Sequence, residues 1–152
     1  MRAVLLLIVI LAFFPWSHVL ASGHIERQDA VRLAALKHVI EKHSNSLAER
    51  KSTSAYIIEG ASAEVLAAAF LGHIPPVIHG IKPRATKHGI VHPQTKKEVK
   101  TWSADLKHLG LNTAVVSVSW YRGPLAAGSA EYHLRLRKGK WVVESQSEEV
   151  LS

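Results

Sequence analysis

The chain has 152 residues, with 19 Lys and Arg against 12 Asp and Glu, a net charge of +7 with neutral His, and no cysteine. Disulfide staples, thiolate metal sites and a lipid-modified cysteine are therefore excluded, and a domain of this length must hold itself by packing. The apolar share of 47% is raised by the first 21 residues, yet the rest of the chain still carries the periodic apolar segments that disorder lacks.

Residues 1–23 carry one base (Arg2), an unbroken apolar run from Ala3 to Phe14, a Pro15-Trp16 break and the small-residue exit Ala21-Ser22-Gly23. This is the layout of a secretory signal peptide, because twelve apolar residues fall short of about 30 Å of hydrocarbon and small side chains suit the peptidase pocket. Cleavage is expected after Ala21, or as late as Gly23, leaving 22–152 as a single domain. The address is then secreted or periplasmic, with no transmembrane span after cleavage.

Ile25 to Leu47 predicts a long amphipathic helix, with Val31, Leu36, Val39, Ile40 and Leu47 near helical spacing and charged residues on the other faces. A polar stretch through Lys51-Ser52 leads into a strand over Ser54 to Glu59 that stops at Gly60. Ser62 is the expected N-cap of a second helix running through Leu71, closed by Gly72 and barred from continuing by Pro75-Pro76.

From Pro76 the apolar period changes from 3.6 to 2. Val77-Ile78, Gly89 to His92 and Glu98 to Ser103 read as short strands with a turn at Pro93-Gln94-Thr95, and Asp105 is expected in a turn. Thr113 to Tyr121, Ser129 to Arg137 and Lys140 to Ser147 read as an antiparallel meander, joined by a loop over 122–128 and by Lys138-Gly139. Ala114, Val116, Val118 and Trp120 share one face of their strand, and Tyr132, Leu134 and Leu136 share one face of theirs.

Helix, strand, helix and a run of antiparallel strands make an α+β domain, with a long N-terminal helix and a short helix packed on a curved antiparallel sheet. With its final hairpin, Tyr132-His133-Leu134-Arg135-Leu136-Arg137-Lys138-Gly139-Lys140-Trp141-Val142-Val143, the chain resembles small exported members of the NTF2-like, cystatin-like superfamily. That resemblance implies a cone or roll. The superfamily includes isomerases, dehydratases and ligand carriers, so fold alone does not give the activity.

The residues carry no strong catalytic pattern. His73, His79, His88 and His92 lie in one segment, but Gly89 and Pro93 keep His88 and His92 on extended backbone, about 13 Å apart, so no metal site is expected. Asp29, Glu59, Asp105 and Glu131 form no recognisable acid pair. No nucleophile elbow or phosphate loop is present, and no cofactor is implied.

The first expectation is an exported, non-catalytic domain that binds a protein partner or a small ligand, with Tyr56, Trp120, Tyr132 and Trp141 as candidate ligand-binding residues. The second is a small isomerase or hydrolase using an inward carboxylate or His. The third is a basic module in which Lys82, Arg84, Lys87, Lys96, Lys97 and Lys100 meet an anionic surface. Sequence-specific nucleic acid binding is not expected, and a homodimer is compatible with the pattern.

Overall fold

A computed structural model describes residues 16–60 and 62–152, without the side chains of 16–25. The apolar run from Ala3 to Phe14 lies outside the described residues. No described helix is long and apolar enough to cross a membrane.

The first helix, α1 (Trp16–Ser44), begins earlier and ends sooner than its apolar period predicts, and includes Ala21 and Gly23. Val31, Ala35, Leu36, Val39 and Ile40 are buried along one face. The helix stops where Ser44-Asn45-Ser46 competes for backbone: the Ser44 hydroxyl donates to the Glu41 carbonyl, and Ser46 caps the next helix by accepting from the Glu49 amide. That helix, α2 (Leu47–Ser52), replaces the expected polar connection, and Leu47 belongs to it, exposed rather than in the core.

Strand β1 (Ala55–Glu59) is followed by α3 (Ala63–Ala68), which is shorter than expected. The Ser62 side chain makes no capping hydrogen bond, so nothing anchors that helix start as predicted. Leu71 stands outside the helix and is almost fully exposed. Then come β2 (Val77–Ile78), the hairpin β3 (Arg84–Thr86) and β4 (Gly89–Val91), and the long strands β5 (Val99–Leu109), β6 (Thr113–Gly123), β7 (Ala126–Arg137) and β8 (Lys140–Gln146), closing with β9 (Val150–Leu151). Asp105 lies within β5 rather than in a turn, and the expected loop over 122–128 shrinks to Pro124-Leu125 because both flanking strands continue.

Seven strands form one sheet in the order β2-β1-β5-β6-β7-β8, with β9 also pairing β7, and the sheet is not closed. It is mixed: β1 runs parallel to both β2 and β5, while β5 to β8 are antiparallel neighbours. The domain is α+β, with α1 packed on one sheet face. Tyr56, Ile58, Trp102, Val116, Val118, Tyr132 and Leu134 meet the apolar stripe of α1 there and fill the space between helix and sheet.

The opposite face carries a smaller cluster in which Ile90 of the β3–β4 hairpin packs with Ala55, Ile57 and Val99. Two glycines make that docking possible. A Cβ on Gly89 would lie 2.7 Å from the Arg122 carbonyl oxygen, and one on Gly123 would lie 2.7 Å from the Gly89 Cα, so the backbones approach as only glycine permits.

Candidate polar site at the α1–α2 junction

At the C-terminal end of α1 the sheet presents a charged group where its neighbours are apolar. Lys100 and Trp102 are two apart on β5 and project to the α1 face, opposite Tyr56 and Ile58 of β1. Lys100 is only 3% exposed. Its Nζ lies 2.8 Å from Glu49 Oε1, 4.5 Å from the Trp120 ring centroid and 5.3 Å from that of Trp102. The ammonium is thus held by one carboxylate and two aromatic faces.

Glu49 comes from α2, and its Oε1 also accepts from the Tyr56 hydroxyl at 3.3 Å and from Thr53 Oγ1 at 3.2 Å. Burial pushes the carboxyl up, but the hydrogen bond and charge of Lys100, helped by Thr53, outweigh it and leave Glu49 below the usual carboxylate range. Burial lowers Lys100, and the Glu49 carboxylate only partly offsets it. Desolvation falls mainly on the ammonium, which is 3% exposed. Tyr56 is held protonated far above its usual range by burial and by the neighbouring carboxylate.

His43, on the last turn of α1, stands over this floor, its ring centroid 5.0 Å from Trp102 and 6.1 Å from Trp120 in edge-on geometry. Burial, and then the Lys100 charge, lower its pKa, so the imidazole is neutral at pH 7. The Trp120 indole donates to Glu149 Oε1 at 2.8 Å, and Arg122 Nη2 donates to Glu98 Oε2 at 2.7 Å. His43, Glu49, Arg122 and Glu149, with Lys42 and Ser46, line a depression of about 340 Å³. The Trp102 indole nitrogen, buried beside the pair, has no hydrogen-bond acceptor among the described residues, an unmet donor of a kind that ordinarily costs about 1–3 kcal/mol.

The residues singled out in the sequence are dispersed. Tyr56 and Trp120 belong to this site. Trp141 does not: it pairs with Leu136, whereas Trp120 pairs with Gly128, eight residues away along β7 and so about 27 Å off. Trp141 lies instead beside Arg27 near the other end of α1, with the guanidinium 5.7 Å from its ring centroid. Tyr132 is midway, buried at 6% exposure against His38. The four aromatics thus make no common wall.

Among the basic residues, Lys100 is withdrawn into the core, since its strand position turns it to the α1 face. Lys82, Arg84, Lys87, Lys96 and Lys97 remain exposed on and beside the β3–β4 hairpin. Glu59 and Asp105 share a second depression with Arg32, and Asp29 is paired with Arg32 at 3.3 Å. His73 is tied to the Pro75 carbonyl oxygen and near the Ser44 hydroxyl, and His92 Nδ1 accepts from the Gln94 and Thr95 amides. No group of three or more His, Asp or Glu among the described residues is arranged to hold a metal ion.

Glu49 and His43 are the residues that sequence reading missed, and Lys100 is the one it assigned to the outer basic surface. The in-phase spacing of Lys100 with Trp102, Ala104 and Leu106 was the available signal for an inward lysine, and Ser46-x-x-Glu49 was the signal for α2. Compared with protein-family models, curated proteins and solved structures, the chain has no match, so its function rests on this geometry.

Proposed function

We propose that the protein is an exported, NTF2-like binding domain whose ligand is a small polar molecule seated against His43, Glu49 and Arg122. The observation that carries the reading is the Lys100–Glu49 pair, buried between two indoles at the edge of a depression of about 340 Å³. An ion pair taken out of water is commonly no more stabilising than apolar residues of the same volume, so folding alone gives little reason to keep it. Charged and polar groups with shifted titration gathered in a hollow are the usual equipment of a ligand site. The filled core between α1 and the sheet argues against an apolar ligand there.

Both charge signs line the depression, so it suits a ligand with a donor and an acceptor group, the anionic part toward Arg122 and Lys42 and the cationic part toward Glu49 and Glu149. Thermal shift against a panel of small carboxylates, amines and zwitterions tests this. At least one class is expected to raise the Tm of the full chain and to lose that effect in Arg122→Ala. A panel without any shift, or a shift that survives Arg122→Ala and His43→Ala together, refutes it.

One observation favours a second reading, a small isomerase or hydrolase: His43 is neutral, half-buried and lines the depression, which equips it to accept a proton as general base. Turnover abolished by His43→Gln with ligand affinity retained would mark that enzyme.

A further inference from the structure

We infer that the face built by the β3–β4 hairpin and the segment leading into it docks on an anionic phospholipid surface. From Val65 to Lys97 the chain contains no Asp or Glu. Within that stretch Lys82, Arg84, Lys87, Lys96 and Lys97 are exposed, and none takes part in an ion pair among the described residues. Glu98, the acid that follows, is engaged by Arg122. The cations therefore retain their charge for an outside partner.

Charge alone fits any polyanion, but the apolar residues beside it narrow the class. Leu71 and Ile74 are 96% and 75% exposed and line a groove with Ile81, which Lys82 follows directly, and Glu64 is the one acid that lines it. Exposed aliphatic side chains whose groove leads through Ile81 into Lys82 match the boundary between lipid headgroups and acyl chains, where apolar groups enter and Lys or Arg meet phosphate. A nucleic acid would call instead for aromatic platforms, and the hairpin strands contain none. The hairpin is pinned to the sheet by Ile90 and by the Gly89–Gly123 contact, so its cations are presented on a fixed support.

Sedimentation of the full chain with vesicles of phosphatidylcholine, alone or mixed with phosphatidylserine, tests the inference. The apolar run Ala3–Phe14, with Arg2 beside it, contributes a background common to the parent and every variant, so the deciding readouts are differences between variants. Binding is expected to be tighter on the mixed vesicles, to weaken between about 50 and 200 mM salt, and to fall about fivefold for each of Lys87→Ala, Lys96→Ala and Lys97→Ala. Leu71→Ser/Ile74→Ser is expected to weaken binding without changing its salt dependence. Equal binding to the two vesicle types, or a triple lysine variant that binds as the parent does, overturns the proposal. So does full competition by soluble polyphosphate together with no effect of Leu71→Ser/Ile74→Ser, which would assign the face to a soluble polyanion. These substitutions leave His43, Glu49 and Arg122 intact, so the small-ligand site stands or falls separately.

Discussion

Lys100 Nζ lies 2.8 Å from Glu49 Oε1, joining the middle of the sheet to a six-residue helix that has no buried residue of its own. The pair is thus the floor of the candidate site and the point at which α2 meets the sheet.

Glu49→Gln leaves the Lys100 ammonium buried without its counter-charge, so it is expected to destabilise the protein by about 3–5 kcal/mol. Adding Lys100→Met to that variant removes the stranded charge, while the new amide oxygen at position 49 still accepts from Tyr56 and Thr53. The double variant is therefore expected to recover most of the loss. Urea unfolding of both single variants and the double variant measures this coupling; additive losses would mean that the pair contributes nothing as a pair.

Acid sensitivity follows from two groups, and both act in the same direction. His43 has a folded pKa below its unfolded value of about 6.5, so the unfolded chain binds the proton first. The stability linked to His43 is complete above about pH 6.5 and declines below it until the folded value is passed. Glu49, with its folded pKa depressed, adds a loss that begins below about pH 4.5 and ends once its folded value is passed. His43→Gln is expected to flatten the upper part of this decline and leave the lower part unchanged, as measured by unfolding midpoints from about pH 2.5 to about 7.5.

Trp120 lies across Gly128, where an added Cβ would be 2.7 Å from the indole nitrogen. Gly128→Ala must push the ring away from Lys100 or Glu149, at a cost of about 1–3 kcal/mol as in other overpacked positions. The same substitution in a Trp120→Leu background is expected to cost less, and the difference in denaturation midpoints is the check.

The hairpin's hold on the sheet is equally open to test. Gly89→Ala collides with the backbone of Arg122, and Ile90→Ala removes the side chain that fills the smaller cluster. Each is expected to loosen the hairpin first, which hydrogen exchange would register as lost protection over 84–91 while the amides of β6 and β7 stay protected.

The meander was legible because its strands alternate cleanly: Ala114, Val116 and Val118 are buried in turn, as are Tyr132 and Leu134. Much else was not. The parallel pairing of β1 with β5 joins residues 44 apart and has no local signal. Leu47–Ser52 has no apolar period, so only the N-cap Ser46, followed three residues later by Glu49, betrays a helix. Lys100 merged with a basic run because charge along a sequence does not tell which side of a strand a residue takes. Strand alternation does place Trp120 on the core side, but it is silent on distance: Trp120 and Trp141 lie toward opposite ends of β7 because their register partners, Gly128 and Leu136, are eight residues apart.

The most direct test of the polar site is an amide and indole nitrogen–proton NMR titration of the full chain with mixtures of small carboxylates, amines and zwitterions. The indole signals of Trp120 and Trp102 and the amides around His43 and Glu49 are predicted to shift together and saturably, while those of Trp141 and Tyr132 stay in place. Shifts that centre on Trp141 and Tyr132, or no saturable shift at His43, Glu49 and Trp120, would contradict the account.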